Sequence, residues 1–170
     1  MEKIVLDRER TELIKRIIAE IPPELGLARI EFEGPTIVIY IKNREKILQH
    51  MDLVRNIAKK VRKRIVLRVV EEARLDPREA RKKILEIVPK DSGVDPNGIE
   101  FDPVFGEVLI RAEKPGLIVG RGHYIRHFIL AETGWRPVPI RSAGVESRVI
   151  SSVYSILLSN SEYRMRFLKY

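Results

Sequence analysis

The chain has 170 residues, of which 33% are charged, a formal net charge of +8 and no cysteine. The lack of cysteine excludes disulfide bonds and thiolate metal sites, and the three histidines lack the spacing of a zinc site. The basic excess favours a polyanionic partner, and the absence of a long apolar run or a leader predicts a cytoplasmic protein without a membrane segment.

The first part of the chain predicts the order helix, strand, strand, helix, strand. The predicted elements are a helix over 8–21, strands over 28–32 and 36–41, a helical stretch over 44–62 broken near His50, and a strand over 65–69. Pro22-Pro23 ends the first helix, because proline cannot donate a backbone hydrogen bond within it.

The second part predicts the same order. Asp76 and Pro77 are a typical helix start, with an aspartate cap and proline at the first helical position. The predicted elements are a helix to about 88, strands over 98–101 and 107–112, a strand-like run before Gly120, a helix over 124–132, a strand over 138–141 and a final helix from 145. Thr133-Gly134 closes the helix that begins at 124.

Two parts of the chain are similar in sequence at an offset of about 66–69 residues. Ile18-Ala-Glu-Ile-Pro-Pro23 returns as Ile84-Leu-Glu-Ile-Val-Pro89, and Ile30-Glu-Phe32 returns as Ile99-Glu-Phe101. The repeat predicts two domains, 1–70 and 71–170. The phenylalanines at equivalent positions are expected to be packing residues.

Only the second copy carries a glycine loop, Gly120-Arg-Gly-His123; the equivalent Lys42-Asn-Arg-Glu45 has no glycine. A glycine loop that leads into an amphipathic helix is how KH domains hold RNA. Glycine lets the sugar-phosphate backbone approach the main-chain N–H groups beside the helix N-terminus. The loop therefore predicts RNA binding with unequal roles for the two copies.

The chain resembles the N-terminal tandem KH region of archaeal β-CASP ribonucleases that are similar to the cleavage-and-polyadenylation nuclease. The segments that carry the resemblance include Ile30-Glu-Phe-Glu-Gly-Pro35, Lys63-Arg-Ile-Val66, Phe101-Asp-Pro103, Glu113-Lys-Pro-Gly-Leu117 and Thr133-Gly-Trp135. The resemblance implies an α+β fold with two tandem type II KH-like units, each in the order α-β-β-α-α-β, plus a C-terminal helix. It also implies that RNA held by these units is passed to a metallo-β-lactamase nuclease.

The sequence departs from that family in two ways. It contains no histidine-rich metal motif of the nuclease, and the fourth position of the glycine loop is His123. If that position needs a positive φ, histidine costs about 1–2 kcal/mol there, although histidine tolerates it better than most residues. The substitution weakens the expectation of ordinary KH clamping without removing it.

The glycine loop supplies the first set of predicted RNA contacts. These are Gly120, Arg121, Gly122, His123 and Arg126. Arg121 at the loop tip either contacts a phosphate or is simply a solvated turn residue.

The densest basic run supplies the second predicted set, Lys59, Lys60, Arg62 and Lys63, to which Arg55 and Arg68 add charge. These residues either contact RNA or stabilise the end of a helix through its dipole. Trp135 either stacks on a base or fills the junction between helix and strand, and we favour the second interpretation.

No catalytic constellation, metal site or cofactor motif is recognisable, so we expect a non-catalytic protein that binds single-stranded RNA in RNA processing, 3′-end formation or decay. One alternative is a protein-interaction module for a nuclease, the ribosome or a transcription complex, with decayed RNA binding. Self-association through the C-terminal helix belongs to this alternative. Another is an N-terminal fragment of a β-CASP ribonuclease. The single glutamine among many charged residues also favours a thermophilic source.

Overall fold

The computed structural model of the protein describes residues 2–142. These residues form helices and two three-stranded sheets, so the predicted α+β class is confirmed. The predicted C-terminal helix, and the self-association proposed through it, lie outside the described residues. No helix within residues 2–142 has both the length and the apolar character that crossing a membrane requires.

The first unit contains two α-helices and three strands. They are α1 (Glu2–Glu20), β1 (Leu27–Glu33), β2 (Thr36–Ile41), a 3-10 helix (Arg44–His50), α2 (Leu53–Val61) and β3 (Arg64–Val69). Strand β2 is central, antiparallel to β1 and parallel to β3. The predicted break near His50 is confirmed, because the chain changes there from 3-10 to α-helix.

The second unit repeats this order with three α-helices. They are α3 (Pro77–Ile87), then β4 (Val94–Asp102), β5 (Glu107–Ala112), α4 (Pro115–Val119), α5 (Tyr124–Thr133) and β6 (Arg136–Arg141). Strand β5 is antiparallel to β4 and parallel to β6. The Asp76 carboxylate caps α3 by accepting a hydrogen bond from the backbone N–H of Arg78, as the sequence predicted.

The apolar run before Gly120 is a short helix, so its interpretation as a strand end was wrong. Its apolar composition fits a strand and a buried helix equally well, and length does not separate the two for five residues. Pro115 at the start of α4 favours the helix, because its fixed φ suits the first helical turn.

Helix α5 contributes side chains to the hydrophobic cores of both units. Ile129 is fully buried in the second core, with Ile84, Ile110 and Ile118. Leu130 and Ala131, the next two residues, are buried in the first core. The predicted division into 1–70 and 71–170 stays a prediction, since α5 completes a core on the other side of that boundary.

Trp135 lies in the junction between α5 and β6, as favoured from the sequence. It is 4% exposed, its indole Nε1–H donates to the carbonyl oxygen of Leu75 at 2.8 Å, and its ring meets Phe101 edge-on. Phe32 and Phe101, the equivalent phenylalanines, both pack against the cores of their units. Their predicted packing role is confirmed.

Gly134 ends α5 with a left-handed backbone, and we predict that Gly134→Ala destabilises the protein. Its φ is +78°, and an added Cβ would lie 2.9 Å from the Cα of Arg74 and 3.1 Å from the carbonyl oxygen of Ala73. The left-handed conformation costs about 1–2 kcal/mol for alanine, and the steric overlap adds roughly 1–3 kcal/mol. Urea unfolding of wild type and variant measures the loss.

Gly34→Ala is the matched control, because Gly34 also has a positive φ, +56°, but an added Cβ would meet nothing within 4 Å. We expect only the conformational cost there. Equal losses at the two positions would contradict the predicted steric contribution at Gly134.

Candidate nucleic-acid interface

The segment Gly120–His123 forms an exposed turn between α4 and α5. Gly120, Gly122 and His123 have φ values of +72°, +58° and +65°, so three of the four residues are in conformations that favour glycine. An added Cβ at Gly120 would lie 2.9 Å from the Ile125 side chain, whereas one at Gly122 would meet nothing within 4 Å. The positive φ that the sequence analysis considered for His123 is present.

The turn leaves the N-terminus of α5 open. His123 is the N-cap residue, and its side chain makes no capping hydrogen bond. His127, one turn further, donates its Nδ1–H to the carbonyl oxygen of His123 at 2.8 Å, which secures the turn. The backbone N–H groups of the first turn and the helix dipole make this end of α5 suited to an anion.

A groove of about 420 Å³ runs from this turn to α2 of the first unit. Three arginines, Arg55, Arg126 and Arg136, line it together with His123 and His127, and Asp52 is the one carboxylate among the described residues that line it. Its apolar lining includes Met51, Val54, Ala58, Leu130 and Pro137. The groove thus joins both units in one positively charged surface.

Two arginines of the groove are crowded together. Burial, and then repulsion from Arg136, lowers the pKa of Arg126, while Glu107 opposes the change. Burial also lowers the pKa of Arg136, whose guanidinium donates to the Glu107 carboxylate at 2.8 Å. Both remain charged, because arginine does not lose its proton at physiological pH. An anion between them would relieve this repulsion.

A gap between the two sheets leaves room for the groove. Strand β6 lies beside β3, but the two do not pair. The N–H groups of Arg136 and Ser142 donate to carbonyl oxygens of the second unit, so the alternate positions 137 and 139 face the outer edge. Both are prolines, which have no N–H to donate, so they prevent β6 from pairing with β3.

The structure brings part of the predicted loop set together in the groove. Gly122, His123 and Arg126 line it, whereas Arg121 is exposed at the loop tip and does not. Arg136 was not recognised as a site residue in the sequence, because a basic residue at the start of a strand carries no signal of its own. Arg55, which was expected only to add charge to the basic run, also lines the groove, as does His127.

The predicted basic run does not line the groove. Lys59, Lys60, Arg62 and Lys63 are exposed around the C-terminus of α2, where Lys60 pairs with Glu20 and Arg62 has a left-handed φ of +54°. A role for these four residues in RNA contact stays a prediction.

Arg68 is not available for RNA, contrary to the expectation that it adds charge to the basic run. Its side chain is 5% exposed and donates to the Glu33 carboxylate at 2.5 Å and to the Tyr40 hydroxyl oxygen at 3.3 Å. Its other terminal nitrogen lies 3.4 Å from Glu107 of the second unit. It connects the units instead of facing a ligand.

Nothing in residues 2–142 groups three histidine or acidic side chains in a way that would hold a metal ion. The groove chemistry is therefore that of cationic and hydrogen-bonding side chains beside an apolar wall. Such a surface can bind a phosphate and an aromatic ring at the same time.

Comparison with known proteins finds a family model that matches the first unit. Residues 7–74 match the family model described as "Transcription termination factor FttA, KH domain". The resemblance to KH domains is therefore confirmed for the first unit. This is the unit that lacks the glycine loop.

Curated relatives named Transcription termination factor FttA match most of the chain. The protein of Pyrococcus abyssi is 42% identical over 149 residues, which are 88% of this chain and 23% of the relative. That of Methanothermobacter thermautotrophicus is 40% identical over 162 residues, 95% of this chain and 25% of the relative. The protein of Lokiarchaeum is 33% identical over 156 residues, which are 91% of this chain and 24% of the relative. The chain spans about a quarter of the length of these relatives.

We predict that His127 makes the folded protein less stable in acid. Burial is the main cause that lowers the pKa of His127, and the charges of Arg126 and His123 add to it, while the hydrogen bond to His123 and the charge of Asp52 oppose it. The unfolded chain therefore binds this proton more readily than the folded chain. Stability from this group is complete above the ordinary histidine pKa of about 6.5 and declines as the pH falls below it.

We expect urea unfolding at pH 7.5 and pH 5 to show a smaller acid loss for His127→Gln than for wild type. His50→Gln is the control, since it removes a histidine that pairs with Glu24 at 2.9 Å and does not line the groove. An unchanged acid loss in His127→Gln would rule out this histidine as the source.

Proposed function

We propose that this chain binds single-stranded RNA at the Gly120–His123 turn and the adjoining groove, in transcription termination or RNA 3′-end processing. The KH match of the first unit and the names of the relatives support this function. We further propose that the second unit is also a KH domain, that this region catalyses no reaction and that it acts in the cytoplasm.

The observation that carries the proposal is the open turn at the start of α5. Its left-handed residues, Gly122 and His123, are exposed, no side chain of residues 2–142 caps the helix, and Arg126 lies within one turn. RNA-binding modules of this kind recognise unpaired strands, whose phosphates reach the turn while the bases lie in a groove. Single strands are favoured over duplexes because a duplex hides its base edges.

The resemblance to β-CASP ribonucleases extends the proposal. RNA held here would be presented to a metallo-β-lactamase nuclease, either in a longer polypeptide or in a partner protein. The matched region is only about a quarter of each curated relative, so activities of the whole relatives are proposals for this chain. A module with decayed RNA binding that docks on such a partner is the second candidate, which the histidine at position 123 favours.

The direct test is Gly122→Asp, with Gly34→Asp as a matched control. Both glycines are exposed, have φ near +57° (+58° and +56°) and leave open space for a Cβ, so aspartate costs the same backbone strain at each. Only Gly122 lies beside α5, where a carboxylate would repel phosphate and occupy its place. We expect at least about a tenfold loss of affinity at Gly122 and little change at Gly34.

The measurement is fluorescence anisotropy of a labelled ten-nucleotide RNA of mixed sequence, at several salt concentrations. Wild-type affinity in Gly122→Asp would dismiss the turn as the binding site. Weak binding that is lost entirely with salt, and is insensitive to both variants, would support the second candidate. Incubation of the labelled RNA with the protein, followed by gel electrophoresis, tests the proposal that no cleavage occurs.

A further inference from the structure

The groove between α2 and α5 is larger than a phosphate contact requires. Its volume of about 420 Å³ lies within the range of roughly 300–1,000 Å³ that is usual for pockets that enclose small ligands. The first unit supplies most of its apolar lining, including Met51, Val54 and Ala58, and the second unit supplies two of its three arginines. No residue of α4 is among the described residues that line it.

We propose that this groove binds one whole nucleotide of the RNA, so that the first unit takes part in recognition without a glycine loop. The proposal rests on the RNA-binding function proposed above. The phosphate lies near Arg126, and the base lies against the apolar side chains of α2 and of the turn before it. Arg55 reaches the same nucleotide from the first unit.

The charges of the groove favour a phosphate as the ligand. Three arginines line the groove against a single aspartate. Among the described residues, Arg126 forms neither a hydrogen bond nor an ion pair, while Arg136 shares Glu107 with Arg68. A phosphate offers several acceptor oxygens, which suits a guanidinium whose N–H groups make no hydrogen bond within residues 2–142.

The position of the groove favours RNA over a free anion. Gly122 and His123 are part of both the turn and the groove lining, so a strand bound at the turn continues directly into the groove. The apolar wall then offers a place for a base, which gains more from apolar contact than a hydrated inorganic phosphate does.

His127 adds a hydrogen-bonding group whose direction is known. Its Nδ1–H is engaged with the carbonyl oxygen of His123, so Nε2 is the ring nitrogen that remains for a ligand. In the neutral ring Nε2 accepts a hydrogen bond, and after protonation it donates one. The groove can thus meet either a base edge or a phosphate oxygen with this atom.

The charge contribution of the first unit is tested with Arg55→Gln against Arg16→Gln. Both arginines are exposed on helices of the first unit, Arg55 on α2 and Arg16 on α1, and both variants remove one positive charge, but only Arg55 lines the groove. With the labelled ten-nucleotide RNA, we expect about a tenfold loss of affinity for Arg55→Gln and less than about twofold for Arg16→Gln. Equal losses would overturn the proposal and leave long-range attraction as the only role of the first unit.

The base contact is tested with Met51→Gln against Ile18→Gln. Each variant replaces an apolar side chain by glutamine; Met51 lines the groove, whereas Ile18 is 47% exposed on α1 and does not line it. We expect Met51→Gln to weaken binding about threefold for ordinary RNA but not for a ten-residue abasic ribose-phosphate oligomer. Equal effects on the two oligomers, or none on either, would overturn the base contact.

Gly122→Asp distinguishes failure of this proposal from failure of the proposed function. If Gly122→Asp loses affinity while Arg55→Gln and Met51→Gln bind as wild type does, RNA binding stands and the nucleotide groove is overturned. If Gly122→Asp also binds RNA with wild-type affinity, the proposed function itself is overturned.

Discussion

The arrangement of the whole molecule depends on burial of α5 between two cores. Ile129 packs into the second core, and Leu130 and Ala131 pack into the first. Arg44 of the first unit donates to the carbonyl oxygens of Ala131 and Glu132 at the end of this helix. A cation suits the negative end of a helix dipole. Because α5 is fixed at one end from across the unit boundary, the turn at its other end has a defined position relative to α2.

A buried ionic network sets how the sheets meet. Glu107 accepts hydrogen bonds from Arg136 of its own unit and from Arg68 of the other. Burial acts most strongly on Arg68 and would lower its pKa, but its hydrogen bonds to Glu33 and Tyr40 and the charges of Glu33 and Glu107 raise the pKa above the ordinary value. Buried pairs of this kind add little net stability, since desolvation offsets their attraction. The network instead favours one orientation of the units. The buried Nε of Arg68 has no hydrogen-bond partner within residues 2–142, which is part of the cost of burying the network.

The sequence was sufficient for features that depend on neighbours along the chain. Helical spacing, the capping Asp76 and the closing Gly134 are local signals. The place of Trp135 between α5 and β6 follows from them, because it comes directly after Gly134. Local signals could not predict the groove, because it depends on contacts between distant parts of the chain. An example is the hydrogen bond between Arg44 and Ala131, which are 87 residues apart. Arg68 was misjudged for the same reason. A basic residue near other basic residues looks exposed until Glu33 and Glu107, distant in sequence, are seen to enclose it.

The two units supply different parts of one surface. The first, which matches the KH model, has no glycine loop and presents α2, while the second has the turn with histidine at its fourth position. The hydrogen bond from His127 to its carbonyl oxygen holds that histidine at φ +65°. Glycine could accept the same bond through its own carbonyl oxygen, and it would avoid the strain of a left-handed residue. What histidine adds is a side chain in the groove lining. Histidine at the fourth position of the loop has less backbone freedom than glycine. Under the proposed function, its imidazole contacts the same ligand as α2 of the first unit.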